Sequence, residues 1–272
     1  MELIKPSIEL LLQGVDWQAH VAKCARVCYA SVREDRNEQM VKNLMTNGHW
    51  SMFRHYSVYL IVPIKILADV KEEHLKNPYV SYDLYYSSFY ISTNGQFWFE
   101  HLRNNYPQLE KYVVDELQFI NTPMGHTLAR YTFKVITQIS TSRELNRVSP
   151  NNIAEQSTRY VYENGKICEP HWYNNTNMLA YEYIKSVYDL QCEEAFEAYH
   201  LLIKNGLHRQ DARGVLPLDT ATICIYTYNI AEWRHIIDLR YYGTTGKPHP
   251  NAKIIAGMIR EELINEGYEF RD

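Results

Sequence analysis

Apolar residues between 17 and 47 recur at helical spacing, through "WQAHVAKCARVCYAS" and then "NEQMVKNLMTNGH". The spacing predicts helix up to Gly48, which stands where a helix C-terminus favours a left-handed residue. The run "HYSVYLIVPI" breaks that period with β-branched and aromatic residues and predicts a strand. Residues 66–122 are mixed. There "SSFYISTNGQFWFEHL" predicts a strand that turns at Asn94-Gly95 into a helix, and "PQLEKYVVDELQFI" predicts a helix. A second strand is expected from "ARYTFKVITQIS" at 129–140, and "RYVYENGKICEPHWY" has the pattern of a hairpin turning at Asn164-Gly165. Three helices should follow: 175–205 closed by Gly206, "TATICIYTYNIAEWRHIIDLRYY" after Leu216-Pro217, and "NAKIIAGMIREELINEG" ending at Gly267. With no internal repeat and no low-complexity linker, this order implies one α+β domain over residues 1–272, an antiparallel β-sheet flanked by helices.

Composition narrows the function more than the fold. A formal charge of −4 on 272 residues excludes a protein that coats nucleic acid, but a local pocket for a small anion needs only a few arginines. The five cysteines, Cys24, Cys28, Cys168, Cys192 and Cys224, are scattered, and no second Cys/His pair completes a tetrahedral zinc site, so no metal is expected. No apolar run approaches the roughly 18 residues that span a bilayer, and no basic leader precedes an apolar segment. The chain therefore reads as cytoplasmic, with reduced thiols and no membrane partner.

Four polar clusters carry the candidate chemistry. Residues 143–160, "RELNRVSPNNIAEQSTRY", hold Arg143, Arg147, Arg159, Glu144, Glu155 and the pair Ser157-Thr158 with little apolar mass. The others are "NGHWSMFRH" with His49, Ser51 and His55; "DARGVLPLDT" with Arg213; and "YNIAEWRHIIDLRYY" with Asn229, His235 and Arg240. Each alone reads as a solvated loop or a structural pair. On a helix, Asn229, Trp233, Ile236 and Arg240 share a stripe, and Arg240 would then need a carboxylate such as Asp238 or Glu232, or an anionic ligand. Together they supply planar guanidinium forks and hydroxyls, the chemistry that binds a nucleoside monophosphate. The glycine-rich dinucleotide and triphosphate cradles are missing, as are the G-x-S-x-G elbow and the H-E-x-x-H helix.

In this order the clusters resemble the flavin-dependent thymidylate synthases, the ThyX family, whose signature is R-H-R-x-x-S-x-[NS]-[EQ]-x-S-x-R. The window from Arg147 to Arg159 has the same length. "ARVCY" at 25–29 and "GHWSMFRH" at 48–55 are similar to the family's A-R-V-[SC] and G-H-x-[ST]-x-[FL]-E-H segments, and "ARGVLPL" and "NIAEWRHIIDLR" to its two downstream blocks. The resemblance covers most of the chain apart from an insertion at about 65–125. Val148 and Ser149 stand where the family has His and Arg, Asn152 and Ala154 replace later motif positions, and Arg54 replaces a Glu.

The resemblance implies transfer of a one-carbon unit from methylenetetrahydrofolate to C5 of dUMP, with FAD reduced by NADPH as hydride source, in a homotetramer whose sites draw on several subunits. It implies that Glu144, Arg147, Glu155, Ser157, Thr158, Arg159, Arg213 and Arg240 surround dUMP. Arg159, Arg213 and Ser157 would take the phosphate, Arg240 would lie by the pyrimidine carbonyls, and Arg240, Glu155 and Ser157 would act in catalysis. His49, Ser51, Arg147, Glu155, Asn229 and His235 would contact FAD. Two other readings stay open: a paralogue that modifies a pyrimidine nucleotide differently, for instance by hydroxymethylation, and a non-catalytic nucleotide-binding protein without flavin.

Overall fold

The computed structural model describes residues 1–31, 34–149 and 152–271. Strands β1 (Glu2–Ile4) and β2 (Ser7–Leu11) lead to α1 (Trp17–Arg26), whose first turn is capped by the Asp16 carboxylate accepting from the Ala19 amide at 3.0 Å. The expected long helix is in fact two, because a 3-10 turn at Val27–Tyr29 and a left-handed Ala30 precede α2 (Asn37–Thr46); Gly48 follows with φ +69°. Strands β3 (Ser57–Pro63), β4 (Val80–Tyr85), β5 (Ser88–Asn94) and β6 (Val113–Val114) form one antiparallel sheet in the order β4-β5-β3-β6. The turn expected at Asn94-Gly95 is present: the Asn94 side chain accepts from the Phe97 amide, and Gly95 lies so close to the Phe53 carbonyl that a Cβ would sit 2.8 Å from it. The helix expected over "PQLEKYVVDELQFI" is a 3-10 turn at Pro107–Tyr112, then β6, then a short helix at Glu116–Ile120 capped by Asp115.

Strand β7 (Arg130–Gln138) runs into α3 (Ile139–Asn146), and β8 (Ile153–Glu155) and β9 (Lys166–Cys168) follow. The hairpin expected at Asn164-Gly165 does not form. The Tyr160 and Val161 amides instead donate back to the Ser157 carbonyl, and β9 pairs in parallel with β1, Glu2 opposite Lys166. The helix expected over 175–205 begins later, as α4 (Tyr181–Lys204).

The largest correction concerns "TATICIYTYN", which is strand β10 (Ala221–Asn229) rather than helix. Its Thr, Ile and Tyr residues are stiff, wide side chains that suit a pleated surface. Both faces are buried, so alternation in polarity is hidden. Asn229 ends the strand and caps α5 (Ile230–Ile237), and α6 (Pro250–Asn265) closes the fold. The predicted stripe survives only from residue 230 onward, where Trp233 and Ile236 are buried.

The central sheet has the order β2-β7-β10-β8, all antiparallel, with β10 and β7 paired from Ala221 opposite Gln138 to Asn229 opposite Arg130. On one face Phe133, Val135, Tyr226 and Tyr228 pack against Trp233 and Ile237 of α5 and Ile255, Ile259 and Leu263 of α6. On the other, Ile225 packs against Leu11 and Cys24. The second sheet joins this one along a polar seam. His55 Nδ1 meets Thr227 Oγ1 at 2.8 Å, Thr227 Oγ1 meets Thr132 Oγ1 at 2.8 Å, and the Tyr59 hydroxyl accepts from the Arg130 amide at 3.0 Å. No helix among the described residues is long and apolar enough to cross a membrane.

Candidate active site

The C-terminal half of the arginine-rich segment builds a recess. Glu155 ends β8, opposite Cys224 of β10, and the chain then leaves the sheet, with the Gln156 amide donating to the Ile223 carbonyl at 2.8 Å. One residue on, the Ser157 amide donates to the Cys28 carbonyl at 3.1 Å, which ties this loop to the "ARVCY" segment. Arg213 comes from a 3-10 turn, and its Nη1 donates to Thr158 Oγ1 at 3.0 Å. The result is a recess of about 570 Å³ whose lining includes Arg143, Glu155, Ser157, Thr158, Arg213 and Leu218. The expectation that Arg213 precedes a helix is corrected, since its turn leads to β10.

The Glu155 carboxylate is held on both oxygens. Oε1 accepts from Ser142 Oγ at 2.7 Å and Thr222 Oγ1 at 3.3 Å, and Oε2 accepts from Asn146 Nδ2 at 3.2 Å. Asn146 Oδ1 in turn accepts from the Tyr226 hydroxyl at 2.8 Å. Burial first, then the neighbouring Cys224, pushes the Tyr226 phenol well above its ordinary value, so it stays a proton donor. Burial and Glu155 likewise push the Cys224 thiol up, which keeps it un-ionised and unsuited to act as a nucleophile.

Other predicted residues lie apart from this recess. Arg159 is exposed, stacks over Tyr160 at 5.3 Å and lines a separate recess of about 370 Å³ with His208, Arg209 and Gln210. Arg240 donates through Nε (3.1 Å) and Nη2 (2.9 Å) to the Glu144 carbonyl, and so braces the C-terminal end of α3 rather than pairing with Asp238, which binds Arg271. The Glu144 side chain is half-buried and does not line the recess. Arg147 is exposed just past α3.

The N-terminal half of the same segment has a structural fate. Val148 packs against the core of the central sheet, and Ser149 Oγ donates to Glu232 Oε1 at 3.1 Å. Glu232 Oε2 accepts from the Asn229 amide while the Asn229 side chain accepts from the Glu232 amide at 2.8 Å, forming a capping box. Asn229 Nδ2 donates to Ser81 Oγ of β4 at 3.1 Å. Pro150 and Asn151 lie outside the described residues.

Of the side chains expected around FAD, Asn229 and Glu155 have partners within the chain. His49, Ser51, Arg147 and His235 are exposed and, among the described residues, form no hydrogen bond. Their donor chemistry fits a ligand rich in phosphate and ring heteroatoms. His49 lines a recess of about 380 Å³ with Arg26, Tyr29 and Asn43, distinct from the one lined by Glu155. No group of three His, Cys, Asp or Glu among the described residues is placed to hold a metal ion.

The residues that composition and spacing alone missed are Ser142, Asn146, Thr222 and Tyr226. The signal was present for the first two, which lie four apart on one helix and so share a face. Thr222 and Tyr226 lie on β10, whose burial on both faces leaves no polar alternation to place them.

Compared with known proteins, the chain resembles two solved structures of the UMP/dUMP methylase PolB from Streptomyces cacaoi. The one bound with 5-Br dUMP is 18% identical over 97% of this chain and 93% of that chain, with a TM-score of 0.49. The one bound with 5-Br UMP has the same identity and score over 97% and 92%. Curated proteins give no match. A family model described as thymidylate synthase complementing protein matches residues 118–265, more than half of the chain, including Glu155, Ser157, Arg213 and β10. The chain belongs to that family, the flavin-dependent thymidylate synthases that its motifs resemble.

Proposed function

We propose that the chain methylates dUMP to dTMP as a flavin-dependent thymidylate synthase, with methylenetetrahydrofolate as carbon donor and NADPH as reductant. The observation that carries this reading is the convergence of Glu155, Ser157, Thr158 and Arg213, from segments more than 50 residues apart, on one recess of nucleotide size. Arg213, with the Ser157 and Thr158 hydroxyls, binds the phosphate, where a planar guanidinium matches two oxygens at once. Arg159, which lines a separate recess, would supply a second cation for the phosphate. Glu155 accepts a hydrogen bond from the nucleoside, and Arg240 holds the end of α3, which carries the Glu155 donors Ser142 and Asn146.

FAD, when bound, supplies the hydride for the transferred carbon, so no protein nucleophile is needed. His49, Ser51, Arg147 and His235 would hold it, with chains meeting in a homotetramer to bring their two recesses together. The test is a spectrum of the protein with added FAD, followed by dUMP-dependent NADPH oxidation with mass analysis of the product. Flavin absorbance and a product carrying one extra methyl support the reading. Binding of dUMP without FAD would favour a non-catalytic binder, and a hydroxymethylated product the paralogue reading.

A further inference from the structure

We propose that Tyr226 and Asn146 are positioning residues that fix how Glu155 presents its carboxylate to the recess; the inference rests on dUMP occupying that recess. Asn146 reaches Glu155 through its side-chain amide. Its two ends are nearly the same shape, so without a constraint either could face Glu155. With Oδ1 toward Glu155, two acceptors would oppose each other. With Nδ2 toward Glu155, Oδ1 needs a donor on its other side, and the buried Tyr226 hydroxyl provides one at 2.8 Å. The tyrosine proton thus selects one amide orientation, and the amide delivers it as an N–H to Glu155 Oε2 at 3.2 Å.

Rotation of the carboxylate is stopped because the other oxygen is tethered separately. Ser142 Oγ at 2.7 Å and Thr222 Oγ1 at 3.3 Å both approach Oε1. The four supporting groups come from two elements, α3 and β10, that are themselves packed together, so the relay has a rigid base. What remains exposed of Glu155 is acceptor only, and the nucleotide group it meets must be a donor, a ring N–H or a sugar hydroxyl. Neither Tyr226 nor Asn146 lines the recess, so both act through Glu155.

The test is a mutant cycle read by calorimetric titration of dUMP into the full chain. Tyr226→Phe removes only the hydroxyl, and Asn146→Ala is the second variant should the first fold poorly. Each is expected to weaken dUMP binding about tenfold, and Glu155→Gln about thirtyfold, the range of one hydrogen bond to a charged group. In a Glu155→Ala background, Tyr226→Phe should change affinity less than about twofold, because residue 155 then has no side-chain oxygen for the relay to orient. Equal losses in both backgrounds would mean a general packing role and overturn the inference, as would unchanged affinity in both single variants. A wild-type chain that binds no dUMP overturns the proposed function itself, and this inference with it.

Discussion

The recess around Glu155 and the seam around Ser149 are built from the same kinds of side chain, six residues apart in one segment, yet they differ in what those side chains do. At the recess, the chain leaves the sheet edge at Glu155, and Ser157, Thr158 and Arg213 face a cleft. At the seam, two sheets and a helix cap meet. Ser149 is bonded to Glu232, Asn229 to Glu232 and Ser81, and His55 to Thr227. Polarity in sequence marks both places equally. Whether a polar group serves a ligand or the fold depends on whether the elements ending there leave a gap or close on each other.

The largest effect expected from this contrast is acid instability seated in the seam. Burial above all, then the charges of His20, Arg130 and Arg54, hold the His55 imidazole down to about 3. Burial, opposed by backbone contacts and aided by Lys23, holds His20 down to about 4. Both stay neutral in the fold, while in the unfolded chain they take up protons as pH falls through their ordinary value of 6.5. The unfolded state then binds more protons, so stability is lost from about pH 6.5 down to about 3, with roughly 5 kcal/mol for the pair gone by about pH 4.5. Burial pushes Glu116 up to about 7, which acts in the opposite sense over this range, so urea unfolding at pH 7 and pH 4.5 is compared between the wild type and His55→Gln; an equal pH dependence in both would mean the seam is open to water.

Next in size is the recess. Arg213→Ala should weaken dUMP binding by about 2–3 kcal/mol, some thirty- to hundredfold, and leave the unfolding midpoint nearly unchanged because the side chain is exposed. Ser149→Ala should do the reverse, costing about 1 kcal/mol of stability for its lost bond to Glu232 with dUMP affinity intact. If Ser149→Ala instead weakens dUMP and spares stability, the division between seam and recess fails. The smallest effect is expected from Arg147→Ala: under about 0.5 kcal/mol in stability, since the exposed side chain has no hydrogen bond among the described residues, with a loss confined to FAD affinity in a flavin titration.

The elements most legible in the sequence were those with one dominant signal. Strands β3 and β7 stood out as β-branched and aromatic runs and helix α6 as an apolar run closed by Gly267, and Gly48 and Gly206 marked helix ends through their left-handed backbone. Strand β10 was hidden because burial on both faces removes the polar alternation that identifies a half-exposed strand. The signal that would have divided it from α5 is local, the N-x-x-E of Asn229 and Glu232. Strand β9 was hidden for another reason, since its partner is β1 at the far end of the chain and Asn164-Gly165 mimics a hairpin turn.

For the site, motif order led to Glu155, Ser157, Thr158 and Arg213 together. It could not separate Arg159 and Arg240 from them, because which way an arginine extends is decided by nearby acceptors such as Gln210 Oε1 and the Glu144 carbonyl. Nor could it reveal that Val148 and Ser149 had joined the core and the helix cap.

The central claim is that the Glu155 recess is the nucleotide site, and a crystal structure of the chain with dUMP tests it most directly. The expected result is a phosphate bound by Arg213 with the Ser157 and Thr158 hydroxyls and a nucleoside donor facing Glu155. A nucleotide bound away from these residues, at saturating dUMP, would contradict the account.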